Sequence, residues 1–332
     1  MSVFRAFPLK YATYFFLLII LVAGCKSEDD PEVLLRASLI TNEDHAWSRA
    51  FEFFSDRLEE KSNGRIRLEV YHAEQLSKEI ESIRLIQAGV IDMTITASIL
   101  TNWVDEAVFC ELPFLLRDST DLQKLVNSPI SKYMEEKIIE KTGLRPVTYF
   151  QRGPRYLTSN RPIKHPDELN GIIIRVPTVP VYVTAWEAMG AKPTPMAFTE
   201  VFTALQQNTI EAQENPLAMI KAAGFAEVQK YLNLTGHIVS WAYPVIGEKQ
   251  YQALPDDLKQ IFDECALEMH NYERSIFLQN EQSLRKELQD KGMIFVEVDK
   301  DAFAEKCTQA VYESLSPEMQ KIYNEIITLT RN

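Results

Sequence analysis

The chain has 332 residues, of which 46% are hydrophobic and 25% charged, and its formal net charge is −12. That length and composition suit two ordinary domains around a real apolar core. The acidic balance argues against nucleic acid as a partner and against an extended basic membrane-binding face, but it leaves room for one local cationic pocket.

The first 24 residues read as an export signal. Arg5 and Lys10 make a positive start, and residues 11–22 are nearly all apolar, a run too short to span a bilayer comfortably. It ends in Val22-Ala23-Gly24-Cys25, which resembles a bacterial lipobox and implies cleavage before Cys25 with lipid on its sulfur. Residues 25–32 then form a polar tether. The body of the protein is placed outside the cytoplasmic membrane, on a lipid anchor.

The body alternates strands and helices. A strand is expected from Val33 to Ile40 and a helix from Asp44 to Lys61, with Trp47, Ala50, Phe51, Phe54 and Leu58 on one face. Ile66, Leu68 and Val70 alternate as a strand, and a helix from Lys78 to Ala88 stops at Gly89. Ile91 to Ile95 is another strand. Asp118 to Lys141 is helical, interrupted at Pro129. Two short strands, Val147–Phe150 and Tyr156–Ser159, flank a turn at Arg152-Gly153-Pro154. The strand Ile172–Val176 and helices Val181–Met189, Glu200–Gln207 and Pro216–Phe225 follow. Pro255 opens a helix that runs to Asp290, about 50 Å at 1.5 Å per residue. That exceeds the width of one small domain, so the helix is expected to brace two lobes. The fold class is α/β with a mostly parallel sheet, two-lobed and similar to the type II periplasmic binding proteins. The expected division is 33–150 plus about 239–275 for lobe I, and 151–238 plus about 276–332 for lobe II.

Cys110, Cys265 and Cys307 are far apart, odd in number and without metal-ligand spacing. Buried free thiols fit best, with one disulfide left open. The sequence lacks Gly-x-Ser-x-Gly, His-Glu-x-x-His, a Gly-rich phosphate loop and a paired Cys-His spacing. No enzyme activity, cofactor or metal is therefore expected.

The informative residue is Arg175, which follows Ile172-Ile173-Ile174. An arginine on an apolar strand is costly unless something pairs with it. Its planar fork suits a carboxylate. It also sits at the C-terminal end of its strand, where open α/β sheets place ligands. A structural ion pair with Glu200 is the alternative.

Four segments then make a family resemblance. They are Gly153-Pro154-Arg155-Tyr156-Leu157-Thr158-Ser159-Asn160-Arg161-Pro162-Ile163, the stretch from Asp167 to Pro177, the stretch from Met189 to Gln206, and Gln213-Glu214-Asn215-Pro216-Leu217. In this order they resemble the substrate-binding proteins of TRAP transporters, the DctP family. The likeness runs from about Val33 to the long helix. It implies an extracytoplasmic receptor, expected as a monomer, that captures a small organic acid and delivers it to the TRAP permease subunits. It implies that Arg175 forms the main ionic pair with the ligand carboxylate, that Arg155 and Asn215 assist, and that Phe198 packs on the ligand with His237 close by. By residue chemistry alone, Arg155 could be a solvated surface arginine and Asn215 the N-cap before Pro216. Phe198 could be a core aromatic, and His237 could be structural. Asn42, His45, Trp103 and Gln151 are placed at the cleft edge, although Thr41 to Asp44 also suit a helix cap. Sialic-acid binders of the family carry a glutamate where this chain has Ala97, which moves the expected ligand towards a sugar acid such as a hexuronate or an aldonate. A C4-dicarboxylate or sialate receptor, a binding lipoprotein of an ATP-driven importer and a sensor are the alternatives.

Overall fold

The computed structural model of the protein describes residues 30–331, so the signal segment, Cys25 and most of the tether lie outside the described residues. Ten strands occur among them: β1 (Val33–Ser38), β2 (Ile66–Tyr71), β3 (Met93–Thr96), β4 (Leu144–Pro146), β5 (Phe150–Ser159), β6 (Ile173–Val176), β7 (Lys192–Pro195), β8 (Ala212–Pro216), β9 (Tyr231–Gly247) and β10 (Ile294–Val296). Their main order is β2-β1-β3-β9-β5-β8-β6-β7, with β4 and β10 also on β9. The outer ladders β2-β1-β3 and β8-β6-β7 are parallel, whereas β9 pairs antiparallel with β3, β4 and β5, and β5 with β8. The sheet is thus mixed rather than mostly parallel. The parallel ladders lie at the two ends of this order, and the middle is antiparallel, built from strands distant in the chain.

Most early elements form where the apolar periodicity puts them. The helix Ala46–Lys61 buries Trp47, Ala50, Phe51, Phe54 and Leu58. Burying each large apolar side chain is worth about 1.5–3 kcal/mol, which outweighs the helix propensity of the polar positions between them. Its N-cap is His45, whose Nδ1 accepts from the Trp47 amide at 3.1 Å, so the expected start at Asp44 moves by two residues. The helix Glu79–Gln87 ends before Gly89, whose φ of +73° is one that side-chain-bearing residues avoid.

Two long strands depart from the sequence reading. β5 runs without a break through Arg152-Gly153-Pro154, where a turn was expected. Its register against β9 shifts between Arg152 and Arg155 and again before Leu157, an irregularity that accommodates a proline with no N–H to give. β9 has 17 residues and almost all are buried, so it shows neither a period of two nor a period of 3.6. Gly236 and Pro244 further disguise it. Because β5 and β9 are both long and paired, the sheet continues from one half of the molecule to the other.

The helix Asp256–Asp290, 35 residues long, lies across both halves. Glu268 bonds Arg57 and Lys61 of the first half, each at 2.7 Å, and Glu287 pairs with Lys221 of the second. The last helix, Pro317–Arg331, packs on the helix Ser119–Val126. Asp121 anchors it, accepting two bonds from Arg117 at 2.8 Å and one from Arg331 at 2.8 Å. Cys110, Cys265 and Cys307 are buried and unpaired, and burial pushes Cys265 up to about 11 and Cys307 up to about 12.

The hydrogen bonds and charge of Arg117, with the Arg331 charge, outweigh burial and lower the Asp121 carboxyl to about 2. A depressed carboxylate stabilises the fold above its unfolded pKa and loses that effect as pH falls through its folded value. Asp121→Asn should therefore cost about 2 kcal/mol at pH 7, and in denaturant titrations the deficit should shrink between about pH 4 and pH 2.

Candidate functional site

Arg175 lies in β6 between Ile174 and Val176, both fully buried, and is itself 4% exposed. Its register beside Thr194 of β7 and Gln213 of β8 fixes it at the C-terminal edge of the parallel ladder. Nε and Nη2 both donate to the Met196 carbonyl, at 2.9 and 2.6 Å, and the guanidinium lies 5.9 Å from the Phe198 ring centre. Among the described residues no carboxylate pairs with it, and Nη1 donates to no protein group. Glu200, the acid that could have neutralised it, is bonded to Lys78 at 2.5 Å. Burial, partly offset by the more distant Glu214 charge, lowers the Arg175 guanidinium to about 10.

Arg155 is the opposite case. It is 2% exposed, and its Nε and Nη2 meet both oxygens of Glu214 at 2.5 and 2.6 Å. Nη1 reaches Glu111 at 3.2 Å, and Nη2 also reaches the Asn215 side-chain oxygen at 3.3 Å. The Tyr182 ring lies 5.4 Å from the guanidinium. Glu111 also takes bonds from Arg152 and Ser98. Burial opposes ionisation of Glu214, but the charge and hydrogen bonds of Arg155, then His237, outweigh it and hold its carboxyl down at about 2. Arg152 and Arg155 overcome burial at Glu111 in the same way. Three arginines thus meet two ionised carboxylates, and the cation left over is Arg175.

These groups border a cavity of about 160 Å³ between the lobes. Lobe II contributes Arg155, Arg175, Met196, Phe198 and Asn215 to its wall, and lobe I contributes Trp47, Glu79, Thr96, Ala97 and Ser98, with Glu111 and Arg152 at the junction. Glu79 receives a hydrogen bond from Thr96 at 2.8 Å, and burial raises its carboxyl to about 7. The lobes also touch across the mouth, where Thr199 donates to Glu74 at 2.9 Å beside the Lys78–Glu200 pair, and Asn102 donates to the Thr178 carbonyl at 3.4 Å.

The structure brings four of the eight expected binding residues, Arg175, Arg155, Asn215 and Phe198, to this cavity and leaves the other four outside its wall. Asn215 belongs to β8 rather than capping a helix; Pro216 is the N-cap of Leu217–Ala222. Its Nδ2 donates to Gln213 at 2.7 Å. His237 stands one layer behind, with Nε2 3.0 Å from Glu214 and Nδ1 2.8 Å from the Thr235 hydroxyl. Burial lowers its pKa, which suits a neutral ring donating to Glu214 and accepting from Thr235. Asn42 and His45 border a neighbouring cavity of about 220 Å³, where Asn42 donates to the Ala222 carbonyl at 3.3 Å. Burial, then Arg152, lowers His45 to about 3. Gln151 sits in the β5–β9 ladder opposite Trp241, and Trp103 packs on the core.

Sequence reasoning passed over Glu214, Glu111, Arg152 and Glu79. Glu214 stands inside a quoted motif, but its role depends on β8 pairing with β5, which sets Glu214 opposite Leu157 and so diagonal to Arg155. Glu111 is 44 residues from Arg155 and carries no local pattern.

Glu214→Ala leaves Arg155 buried without its main partner and should destabilise the fold by about 3–5 kcal/mol. Lys78→Ala removes an exposed pair and should cost less than about 1 kcal/mol. Thermal unfolding of both variants checks the contrast, and equal losses would contradict it.

Residues 37–326 match the profile of the DctP family, described as bacterial extracellular solute-binding protein, family 7. A solute-binding protein of Roseobacter denitrificans is 41% identical over 297 residues, which is 90% of this chain and 91% of that one. The solved structure of a TRAP periplasmic solute binding protein from that organism, with bound L-galactonate, superposes with a TM-score of 0.87 at 41% identity, covering 89% of this chain and 99% of that one. The 2,3-diketo-L-gulonate-binding periplasmic protein of Escherichia coli is 30% identical over 274 residues, covering 82% and 83% of the two chains.

Proposed function

The chain belongs to the DctP family of TRAP solute-binding proteins, and from that premise we propose that it captures a sugar monoacid, an aldonate or a hexuronate, through Arg175. The observation that carries this reading is a buried guanidinium on a cavity wall with no carboxylate paired to it among the described residues. A ligand carboxylate can meet Nη1 and the remaining Nη2–H as a planar pair, while Met196 holds the other edge and fixes the fork. Asn215 Nδ2 has a second hydrogen to offer. Phe198 supplies an apolar wall. Arg155 acts mainly by shaping the site, because Glu214 and Glu111 already occupy its donors.

The cavity, at about 160 Å³, is small beside the roughly 300–1,000 Å³ of drug-sized sites. A compact polar acid fits that room better than a nine-carbon sialate, and Ala97 stands on the cavity wall where sialic-acid binders resemble one another in carrying a glutamate. The relatives bound to L-galactonate and named for 2,3-diketo-L-gulonate support the same class. The protein acts by binding alone, without chemistry on the ligand. Lobe closure by bending at β5 and β9 removes water from the ion pair and strengthens it. The closed receptor, a monomer, then hands the acid to the TRAP permease.

Arg175→Met should lower affinity for L-galactonate by about two to three decades, corresponding to roughly 3–5 kcal/mol. The unliganded variant should unfold at nearly the wild-type temperature, because no protein carboxylate loses a partner. Calorimetry and thermal shift check both, and unaltered affinity overturns the assignment. We further assign Cys25 as the lipid-bearing residue. Expressed from the full chain in a bacterium, the protein should take up labelled fatty acid and pellet with membranes, and Cys25→Ala should abolish both.

A further inference from the structure

We propose that Glu79 makes this receptor discriminate sugar monoacids from the corresponding diacids. The inference rests on the binding reading above but concerns the far end of the ligand rather than its Arg175-bound carboxylate.

Glu79 is the first residue of the helix Glu79–Gln87, on the lobe facing Arg175, and its carboxyl borders the cavity with Thr96 and Ser98. Oε1 accepts from Thr96 at 2.8 Å. Oε2 accepts no hydrogen bond from the described residues, and no Arg, Lys or His pairs with this carboxyl among them. Of the cations nearby, Lys78 is committed to Glu200 at 2.5 Å and Arg152 to Glu111, which leaves Arg175 on the opposite wall. Glu74, which accepts from Thr199, borders the same cavity with no ion pair among the described residues, whereas Glu111 is already paired with Arg152 and Arg155. A ligand hydroxyl at this end can donate to Oε2. A second ligand carboxylate would face an acid with no spare cation to separate them, in a setting where water does little to screen the repulsion. The spare positive charge of the site is one, at Arg175, so the site is matched to one negative charge on the ligand. Rejecting the wrong ligand by an opposed like charge is a stronger device than fine adjustment of contacts to the right one.

The test is calorimetry at pH 8, where a carboxyl at about 7 is mostly ionised, using L-galactonate, D-galacturonate and galactarate, which has a carboxylate at both ends of the same six-carbon chain. Wild type should bind at least one of the two monoacids about 100-fold or more tighter than galactarate, and Glu79→Gln should narrow that ratio at least about tenfold, chiefly by gain of diacid affinity. Thr96→Val keeps the charge while removing the hydroxyl, and should keep the discrimination. Wild-type binding of galactarate within about tenfold of the preferred monoacid, or a ratio unmoved in Glu79→Gln, overturns this assignment and leaves the receptor reading intact. Wild type binding none of the three acids overturns the receptor reading and this assignment together. Should Glu79→Gln fail to fold, the wild-type ratio alone still decides.

Discussion

The site turns on the pairing of Arg155 with Glu214. Two opposite charges, both almost fully buried, meet through two short hydrogen bonds, and neither could be ionised there alone. His237 and Thr235 complete the hydrogen bonding behind Glu214, and Glu111 ties the same arginine to Arg152 and to the first lobe. This network neutralises itself. It leaves Arg175, held by a backbone carbonyl and faced by an aromatic ring, as the one of these three arginines with no carboxylate paired to it among the described residues. Burial of a guanidinium without a carboxylate is an electrostatic cost, and the proposed role of Arg175 rests on an anionic ligand offsetting it.

The sheet gives this network its place. β5 supplies Arg152 and Arg155, β8 supplies Glu214 and Asn215, and β9 supplies His237, so three adjacent strands carry the paired charges. β5 and β9 are also the strands that pass between the lobes. The charged cluster therefore sits where these strands cross from one lobe to the other, and Glu111 touches both arginines of β5 from the first lobe. Away from that crossing the lobes meet by exposed contacts such as Lys78–Glu200, a kind of pair worth little in water.

Much of the architecture could be read along the chain. The helix of lobe I facing the long helix showed its apolar stripe, and Gly89 marked a helix end by its positive φ. The long helix was evident from its unbroken length between Pro255 and Gly292. What failed was β9 and the continuous β5. A strand buried on both faces has no alternation to detect, and a proline in a bulged ladder looks the same in sequence as a proline in a turn. The packing of the final helix on Ser119–Val126 was not legible, because chain order carries no information about Arg331 reaching Asp121 across 210 positions.

The sequence by itself determined that an arginine closes an apolar strand and that ordered motifs surround it. The resemblance those motifs carry, rather than residue chemistry, grouped Arg155, Phe198 and Asn215 with that arginine. Only the tertiary structure decided what each charge does. Arg155 is spoken for by Glu214, His237 is a layer removed, Asn42 and His45 serve a neighbouring cavity, and Glu79 enters from the other lobe. The physical reason is that a buried charge is defined by its partners, and those partners come from strands and helices that the chain brings together only on folding.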